Sequence, residues 1–553
     1  MLLFDDPYEQ VLETIRDGYP DANKTDLTYD RSGHADFSFR MFRLKKQINT
    51  SFDQIASKVT AEILKIPAVR KVAQESGYLN IFLRDEFFLE SVDKYLSERK
   101  QYPDTFQDPE RVLVEHTSTN PTGPIHIGRT RNSIIGDSLA RILARYGYRV
   151  STQYFVNDSG KQVAALYKGF KMYHPGEPPA IDSLLSGYQK IYSEIKDDRE
   201  KEKDLIEPVI KRYESGDSEI IGEIREYCTI VLEGIRKSLS SIGIKIDDYV
   251  WESNFLRGTE LEAVFEMLDN RLKDENGATY IELDNETKVY LRRSNGTSLY
   301  IARDIAYHIF KALNSDWIID VLGEDHKEHA ARLSQILRDF MDFKPRLDVV
   351  TYSFMSLEGS RFATRRGNIV SLDDLLRRTE EEALKIVREK RPDMMEEKLS
   401  EVSKKVAVSS VRFNIIRVNS SKPVDFKWKE ALSFDGDAAP FIMYAYARAR
   451  RILEKAGEET SVDSRTYLKE ERALSRNLYL YPIILQDAVS NLKPELIATY
   501  CLDLAKAFNE FYANCPVIGS GPEMGKRIML TSAFSKILRD AGSLIGIEFL
   551  EEM

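Results

Sequence analysis

The sequence predicts a protein of the α/β class, a doubly wound parallel sheet preceded by a small α+β domain and followed by an all-α bundle. Three observations predict it. Two strand–helix–strand patterns recur, at 111–157 and 316–354. The chain before about residue 105 mixes an amphipathic helix with a strand, and nearly everything after about residue 371 has helical spacing. A length of 553 residues suits about three or four domains. With 42% hydrophobic and 30% charged residues, the chain can fill sizeable cores and still cover them with a solvated surface.

In chain order, SFDQIASKVTAEILK places Phe52, Ile55, Val59 and Ile63 on one helical face, and YLNIFL reads as a strand that closes the first domain. QYPDTFQDPE is polar, holds two prolines and reads as a linker. RVLVEH is then a short apolar strand and TSTNPTGP a turn. A helix follows, with Ile135, Leu139, Ile142, Leu143 and Tyr146 at helical steps and Gly147 as its stop, and RVSTQYFVN is the second strand. This strand–helix–strand unit is the building element of a nucleotide-binding sheet. DWIIDVLG, EHAARLSQILRDFMDF and LDVVTYSF repeat it. The stretch around 170–290 contains charge runs such as KDDREKEKD and is expected to be an insertion carrying solvated helices. SLDDLLRRTEEEALKIVREK and KVAVSSVRFNIIRV are helices of a connector, and the remainder is a separate bundle. The expected division is 1–105, 106–370 with its insertion, 371–434 and 435–553.

Several classes are disfavoured. The three cysteines, Cys228, Cys501 and Cys515, have no CxxC or Cys/His ligand spacing, so buried free thiols are expected rather than zinc or disulfides. A net charge of −10 argues against coating nucleic acid over the whole surface, while leaving room for a local basic stripe. No apolar run is long enough to span a membrane. The opening MLLFDDPYEQ turns acidic at once, unlike a signal peptide, so a cytoplasmic location is expected. GSGPEMGKR misses both the Walker A and GxGxxG spacings, and no HExxH is present.

The first strand-to-helix turn carries His126-Ile127-Gly128-Arg129. Free N–H groups and the helix dipole attract phosphate there. Gly128 lets a flat base approach the backbone, and His126 can donate to an α-phosphate as charge builds. This turn resembles the HIGH signature of class I aminoacyl-tRNA synthetases. EHTSTNPTGPIHIGRTRNSIIGDSLARILARYGYRV, FVNDSGKQ, GTSLYIARDIAYH, LGEDHKEHAARL and EGSRFATRRGNIVSLDDLL resemble successive blocks of the arginyl-tRNA synthetases. DAAPFIMYAYARARRIL and CLDLAKAFNEFYANCPVI resemble that family's anticodon-binding bundle, and GHADFSFRMF and GYLNIFL its tRNA-contacting N-terminal domain.

The resemblance implies a Rossmann-like, HIGH-type catalytic domain that joins arginine to arginine tRNA at the expense of ATP. By the same match Asp304 would pair with the substrate guanidinium, and Tyr300, four residues earlier on one helical face, would line the pocket. Glu115, Asn120 and His126 would hold the amino and carboxylate ends, with Asp325 and His326 at the carboxyl edge of the sheet. Pro124, His126, Gly128, Arg129 and Thr364 would border ATP, which brings magnesium on its phosphates; no tightly bound cofactor is implied. In the bundle, Tyr444, Arg448 and Arg451 fall on one side of a helix, as single-stranded RNA recognition requires, although Tyr444 could equally pack inward. The family is commonly monomeric, needs tRNA for adenylate formation and requires no editing site.

Two departures stand out. The second histidine of HIGH is Arg129 here, and the KMSKS-like loop reads Arg361-Phe362-Ala363-Thr364-Arg365-Arg366-Gly367, without lysine. The compensating lysine that some members carry before HIGH is Gly123 here. Arg361, Arg365 or Arg366 is therefore expected to neutralise phosphate charge, joining His126, Gly128 and Arg129 as the catalytic set. Two rival readings are a non-catalytic tRNA-binding paralogue and a class I synthetase for another amino acid. The Tyr300/Asp304 pair, which suits a cation, argues against the second.

Overall fold

A computed structural model describes residues 7–30, 33–97, 108–256, 259–283, 287–359, 370–457 and 467–551. The chain opens with α1 (Pro7–Gly18), β1 (Leu27–Tyr29), β2 (Phe37–Arg40), α2 (Phe42–Ile48), α3 (Phe52–Ile63), β3 (Val69–Glu75), β4 (Tyr78–Leu83) and α4 (Asp85–Ser97). The four strands make an antiparallel sheet in the order β1-β2-β4-β3. Helix α3 starts at a reciprocal cap. The Gln54 amide donates to Ser51 Oγ at 3.2 Å, and the Ser51 amide donates to Gln54 Oε1 at 3.3 Å. Ile55, Val59 and Ile63 of that helix are buried, as their spacing predicts. YLNIFL forms β4 but does not close the region. Helix α4 follows it, and Phe87 and Phe88 meet Tyr479 of the C-terminal bundle edge-on at 5.3 and 5.5 Å. The apolar face of α4 thus joins the two ends of the chain.

The central sheet begins with β5 (Arg111–Glu115), α5 (Ile127–Tyr146) and β6 (Arg149–Val156). Gly147 ends α5 at φ 114°, a conformation strained for any residue with a side chain. Helices α6 (Lys161–Tyr173), α7 (Ile181–Ile195), α8 (Arg199–Glu214) and α9 (Ser218–Ser241) follow, and the charge run at the start of α8 is solvated. The stretch 170–290 is not insertion throughout, however. It also contains β7 (Asp248–Trp251), which pairs in parallel with β6 as the sheet's edge strand. After α10 (Thr259–Met267), the strands β8 (Lys273–Glu275), β9 (Ala278–Glu282) and β10 (Lys288–Arg292) form a small antiparallel sheet. Helix α11 (Tyr300–Ala312), β11 (Trp317–Gly323), α12 (Lys327–Phe340) and β12 (Arg346–Tyr352) complete the second unit. The sheet order is β12-β11-β5-β6-β7, with every neighbour parallel. Strand order reverses between β5 and β11, where such sheets open a ligand crevice.

Beyond it, β13 (Met355–Leu357) and α13 (Leu372–Lys390) flank the second signature segment, and α14 (Glu396–Ile416) packs on α13. Within the otherwise helical connector, β14 (Val424–Phe426) pairs in parallel with β13, and the one-turn α15 (Trp428–Ala431) follows. Helices α16 (Ala439–Ala456), α17 (Lys469–Tyr479), α18 (Tyr481–Asn491), α19 (Glu495–Asn514) and α20 (Met524–Leu544) form the bundle. Fully buried Arg412 of α14 staples these layers. It pairs with Asp137 of α5 and donates to the carbonyls of Ile242 at 2.8 Å and Ile545 at 3.0 Å. All three cysteines are buried and free. No described helix is long and apolar enough to cross a membrane.

Candidate active site

The crevice starts where β5 ends. Thr117 and Ser118 leave the strand with φ of 70° and 36°, a left-handed path that is costly for a β-branched residue. The surroundings hold it there. The Thr117 amide donates to Asn132 Oδ1 at 2.6 Å, while Asn132 Nδ2 donates to the Val321 carbonyl of β11 at 2.7 Å. Asn132 therefore clasps the two central strands across the switch point. Ser118 Oγ donates to Glu115 Oε1 at 2.8 Å and accepts from the Phe155 amide at 3.0 Å. Helix α5 comes this close because residue 136 is glycine: a Cβ there would lie 2.2 Å from His116 Cβ.

His126 is the residue just before α5 and makes no side-chain cap bond to the helix. Burial, reinforced by the Arg129 charge, holds its pKa down at about 4, so at neutral pH the ring is an uncharged donor. At Gly128 a Cβ would stand 3.1 Å from that ring. Pro124 is exposed beside it. Asn120 Nδ2 donates to Gln162 Oε1 at 2.8 Å, and Arg129 reaches Tyr352 Oη at 3.4 Å.

The floor of the crevice is an ionic network that spacing alone does not reveal. Lys311 of α11, 1% exposed, places Nζ 2.6 Å from Glu115 Oε2 and 2.7 Å from Asp320 Oδ1. Burial works against its charge, but Asp320 and Glu115 outweigh it and raise the lysine pKa. Asp320 is likewise opposed by burial and held ionised by Lys311 and His308, well below the usual carboxylate range. His308 lies between two acceptors, the Asp304 carbonyl at 2.7 Å and Asp320 Oδ2 at 2.8 Å. Buried Tyr307 donates to Gln153 Oε1 at 2.7 Å.

The rim is more open. Tyr300 and Asp304 lie one turn apart on α11, as predicted. Tyr300 is exposed, and one ring face is covered by the Arg303 guanidinium at 4.6 Å. Arg303 is itself tied to buried Glu252 at 2.6 Å and to Ser159 Oγ at 3.0 Å. Burial pushes Glu252 up to about 7, with Arg303 opposing it. Asp304 Oδ2 pairs with His329 Nε2 at 2.6 Å. Asp325 and His326 follow β11 in the turn Glu324–His326. Both are exposed, and they face each other at 3.6 Å. Glu115 belongs to the floor and Asp304 to the rim, with α11 supplying residues to both.

Arg361, Thr364, Arg365 and Arg366 lie outside the described residues. The chain is anchored on both sides of this segment, after it beside His126. The Ile127 amide donates to the Val370 carbonyl at 3.1 Å, and the Leu372 amide to the Ile125 carbonyl at 2.9 Å. On the other side, the Gly359 amide donates to the Asp425 carboxylate at 2.9 Å. Buried Arg131 of α5 donates to the carbonyls of Ser353, Lys422 and Asn419 at 2.8, 2.7 and 3.0 Å, fixing the approach to that segment.

The bundle holds a cavity of about 620 Å³. Tyr444, Arg448 and Arg451 line it together with Lys455, Tyr512 and Ile518. Tyr444 is exposed rather than packed inward, and the Arg448 guanidinium sits 4.8 Å from its ring and 4.6 Å from that of Tyr512. Tyr512 escaped the sequence reading because it comes from α19, whereas Lys455 extends the α16 stripe by one further step of four that the reading left out.

A parallel sheet that reverses order beside a helix amino terminus bearing a neutral histidine is the nucleotide-binding core of a class I synthetase. Comparison with known proteins bears this out. Residues 91–428 match the family described as tRNA synthetases class I (R), catalytic domain. Residues 442–553 match the DALR anticodon binding domain, and 9–83 the arginyl tRNA synthetase N terminal domain. The arginine–tRNA ligase of Thermoplasma acidophilum is 46% identical over the whole of both chains. That of Methanocella arvoryzae is 36% identical over 99% of each. The Thermus thermophilus arginyl-tRNA synthetase structure superposes with a TM-score of 0.86 at 26% identity, covering 99% of this chain and 100% of that one. The chain belongs to the arginyl-tRNA synthetase family.

Proposed function

We propose that this chain is an arginine–tRNA ligase. The carboxylate oxygen of L-arginine attacks the α-phosphorus of ATP, the bond to pyrophosphate breaks, and arginyl-adenylate forms. The 2′-hydroxyl of the terminal adenosine of arginine tRNA then attacks the activated carbonyl and expels AMP. What carries this reading is an uncharged His126 ring at the start of α5, together with the Asp304 carboxylate on α11, the helix whose Lys311 is paired with Glu115 at the end of β5. The first suits a phosphate whose charge is growing, the second a guanidinium.

In this reading Asp304 takes the guanidinium against the Tyr300 ring. Glu115, its carboxylate already aimed by Lys311 and Ser118, receives the α-ammonium, and Asn120 receives the carboxylate end. Asp325 and His326 border the mouth. Pro124, Gly128, Arg129 and Thr364 border ATP, which arrives with magnesium as substrate. Arg361, Arg365 or Arg366 supplies the cation that lysine gives elsewhere. Tyr444, Arg448 and Arg451 hold unstacked bases and phosphates of the tRNA. Catalysis is positioning and charge stabilisation without a protein nucleophile. The same reading divides the chain at about 105, 370 and 434 and has it act as a cytoplasmic monomer.

The test is arginine-dependent ATP–pyrophosphate exchange, with and without arginine tRNA transcript and with lysine as control. Exchange with arginine and tRNA together, and none with lysine, is expected. His126→Ala should slow it roughly 10²–10³-fold. Unchanged adenylate formation in both Arg365→Ala and Arg366→Ala would remove those two from the catalytic set. The lysine-free segment favours one second reading, a tRNA-binding paralogue without catalysis. Folded protein that binds tRNA but gives no exchange would select it.

A further inference from the structure

Asp304 awaits a substrate cation in the reading above, yet its carboxylate already has a partner. His329 Nε2 lies 2.6 Å from Asp304 Oδ2. The two residues come from neighbouring helices, His329 from the first turn of α12 and Asp304 from α11. Both are partly exposed, His329 at 39% and Asp304 at 29% of their side chains, so solvent and a small ligand can reach the pair. Several charged or titratable groups on the same two helices and the turn before α12 have partners of their own, and His308 of α11 bonds the Asp304 carbonyl at 2.7 Å. Arg332 holds Glu328 at 2.6 Å, His326 faces Asp325 at 3.6 Å, and Arg303 holds Glu252 at 2.6 Å.

We propose that His329 is a proton-carrying placeholder for the substrate guanidinium, holding Asp304 while the pocket is empty and releasing its proton to solvent when arginine binds. The inference rests on Asp304 being the guanidinium-binding carboxylate. The exchange balances: an imidazolium–carboxylate pair and a guanidinium become a neutral imidazole, a guanidinium–carboxylate pair and one hydronium proton. The direction is physical. The hydrogen bond to Asp304 raises the His329 pKa, burial opposes it, and the Asp304 charge adds to the rise while Arg332 subtracts from it. A second cation on the same carboxylate removes the support for that proton. Neutral His329 can still donate one N–H to Asp304, so the ring steers the carboxylate in both states. Arginine affinity must then weaken as pH falls through the His329 pKa, because the ligand competes with a proton.

The experiment is calorimetric titration of L-arginine into the full-length protein with arginine tRNA transcript present, in buffers of different ionisation enthalpy. Proton release per arginine should be greatest between the ordinary imidazole range, about pH 6.5, and the raised value His329 has in the free protein, and should fall away at higher pH. His329→Gln keeps a donor but cannot titrate, and it should bind arginine without that release. No release from the wild type, or equal release from wild type and His329→Gln, overturns the proposal. Asp304→Asn separates the two layers of the argument. If it binds arginine as tightly as the wild type, the pocket assignment itself fails. If it loses arginine while the wild type releases no proton, only the placeholder role of His329 fails.

Discussion

The floor and the rim of the crevice both set carboxylates against cations, but the two regions obtain the cation differently. On the floor, Glu115 and Asp320 share Lys311, whose side chain is wholly buried, so the chain supplies its own counter-charge permanently. On the rim, Asp304 and His329 are partly open to solvent, and under the proposal above the counter-charge is one that the substrate replaces. The floor was made rigid at the expense of burying charge. The rim was left exchangeable, and its charges add little to stability. A site that must grip a cation quickly and release it needs both, a fixed frame and a partner that yields.

Removing the floor's cation tests this contrast most severely. Lys311→Met strands two buried carboxylates and should lower stability by about 3–5 kcal/mol, read as a shift in the urea midpoint. A loss below about 0.5 kcal/mol would mean that the network is not part of the frame.

Acid should separate the regions next. His116, buried behind the β5 turn, has its pKa driven down to about 4 by burial, against Asp137 and Asp247. An unfolded imidazole takes its proton near about pH 6.5, and the folded ring waits until about pH 4. The unfolded state binds more protons in that window, so stability falls as pH drops through it, by up to about 3 kcal/mol. His116→Gln should lose this part of the pH slope, measured by denaturation at several pH values. His329 has the opposite sign. Its raised pKa gives stability that is present below about pH 6.5 and lost as pH rises through the folded value.

The smallest effect belongs to the outermost rim. Asp325 is 73% exposed and faces His326 at 3.6 Å, so Asp325→Ala should change stability, read from the urea midpoint, by less than about 0.5 kcal/mol. A larger loss would make the mouth part of the frame and blur the distinction.

Much of this was legible in the sequence, and the two regions differ there too. Helix α5, its stop at Gly147 and the His126 turn follow from spacing and turn chemistry that are local in the chain. Tyr300 and Asp304 share a helical face that any four-residue step defines. Strand β7 was not legible. Its four residues, DYVW, sit between Asp247 and Glu252 and carry too short an apolar pattern to stand out from a charged stretch. Lys311 reads as an ordinary last-turn cation of α11, because its two partners are 196 and 9 residues away and meet it only when β5 and β11 pair. One local signal existed: Asp320 sits in the middle of the apolar strand WIIDVLG, where a charge demands a partner. Thr117 and Ser118 gave no such sign, since nothing in TST announces a left-handed path that Asn132 enforces from fifteen residues away.

The central claim is that Asp304 reads the substrate's positive charge from a frame built before the substrate arrives. Its most direct test is the ratio of kcat/KM for charging arginine tRNA with arginine over citrulline, the neutral isostere, in the wild type and in Asp304→Asn. The wild type should favour arginine by about 10⁴-fold, as sites that hydrogen-bond a distinguishing group of their substrate do, and Asp304→Asn should shrink that ratio about ten- to hundredfold while citrulline charging holds steady. An unchanged ratio in Asp304→Asn would contradict the account and place the recognition of arginine elsewhere in the crevice.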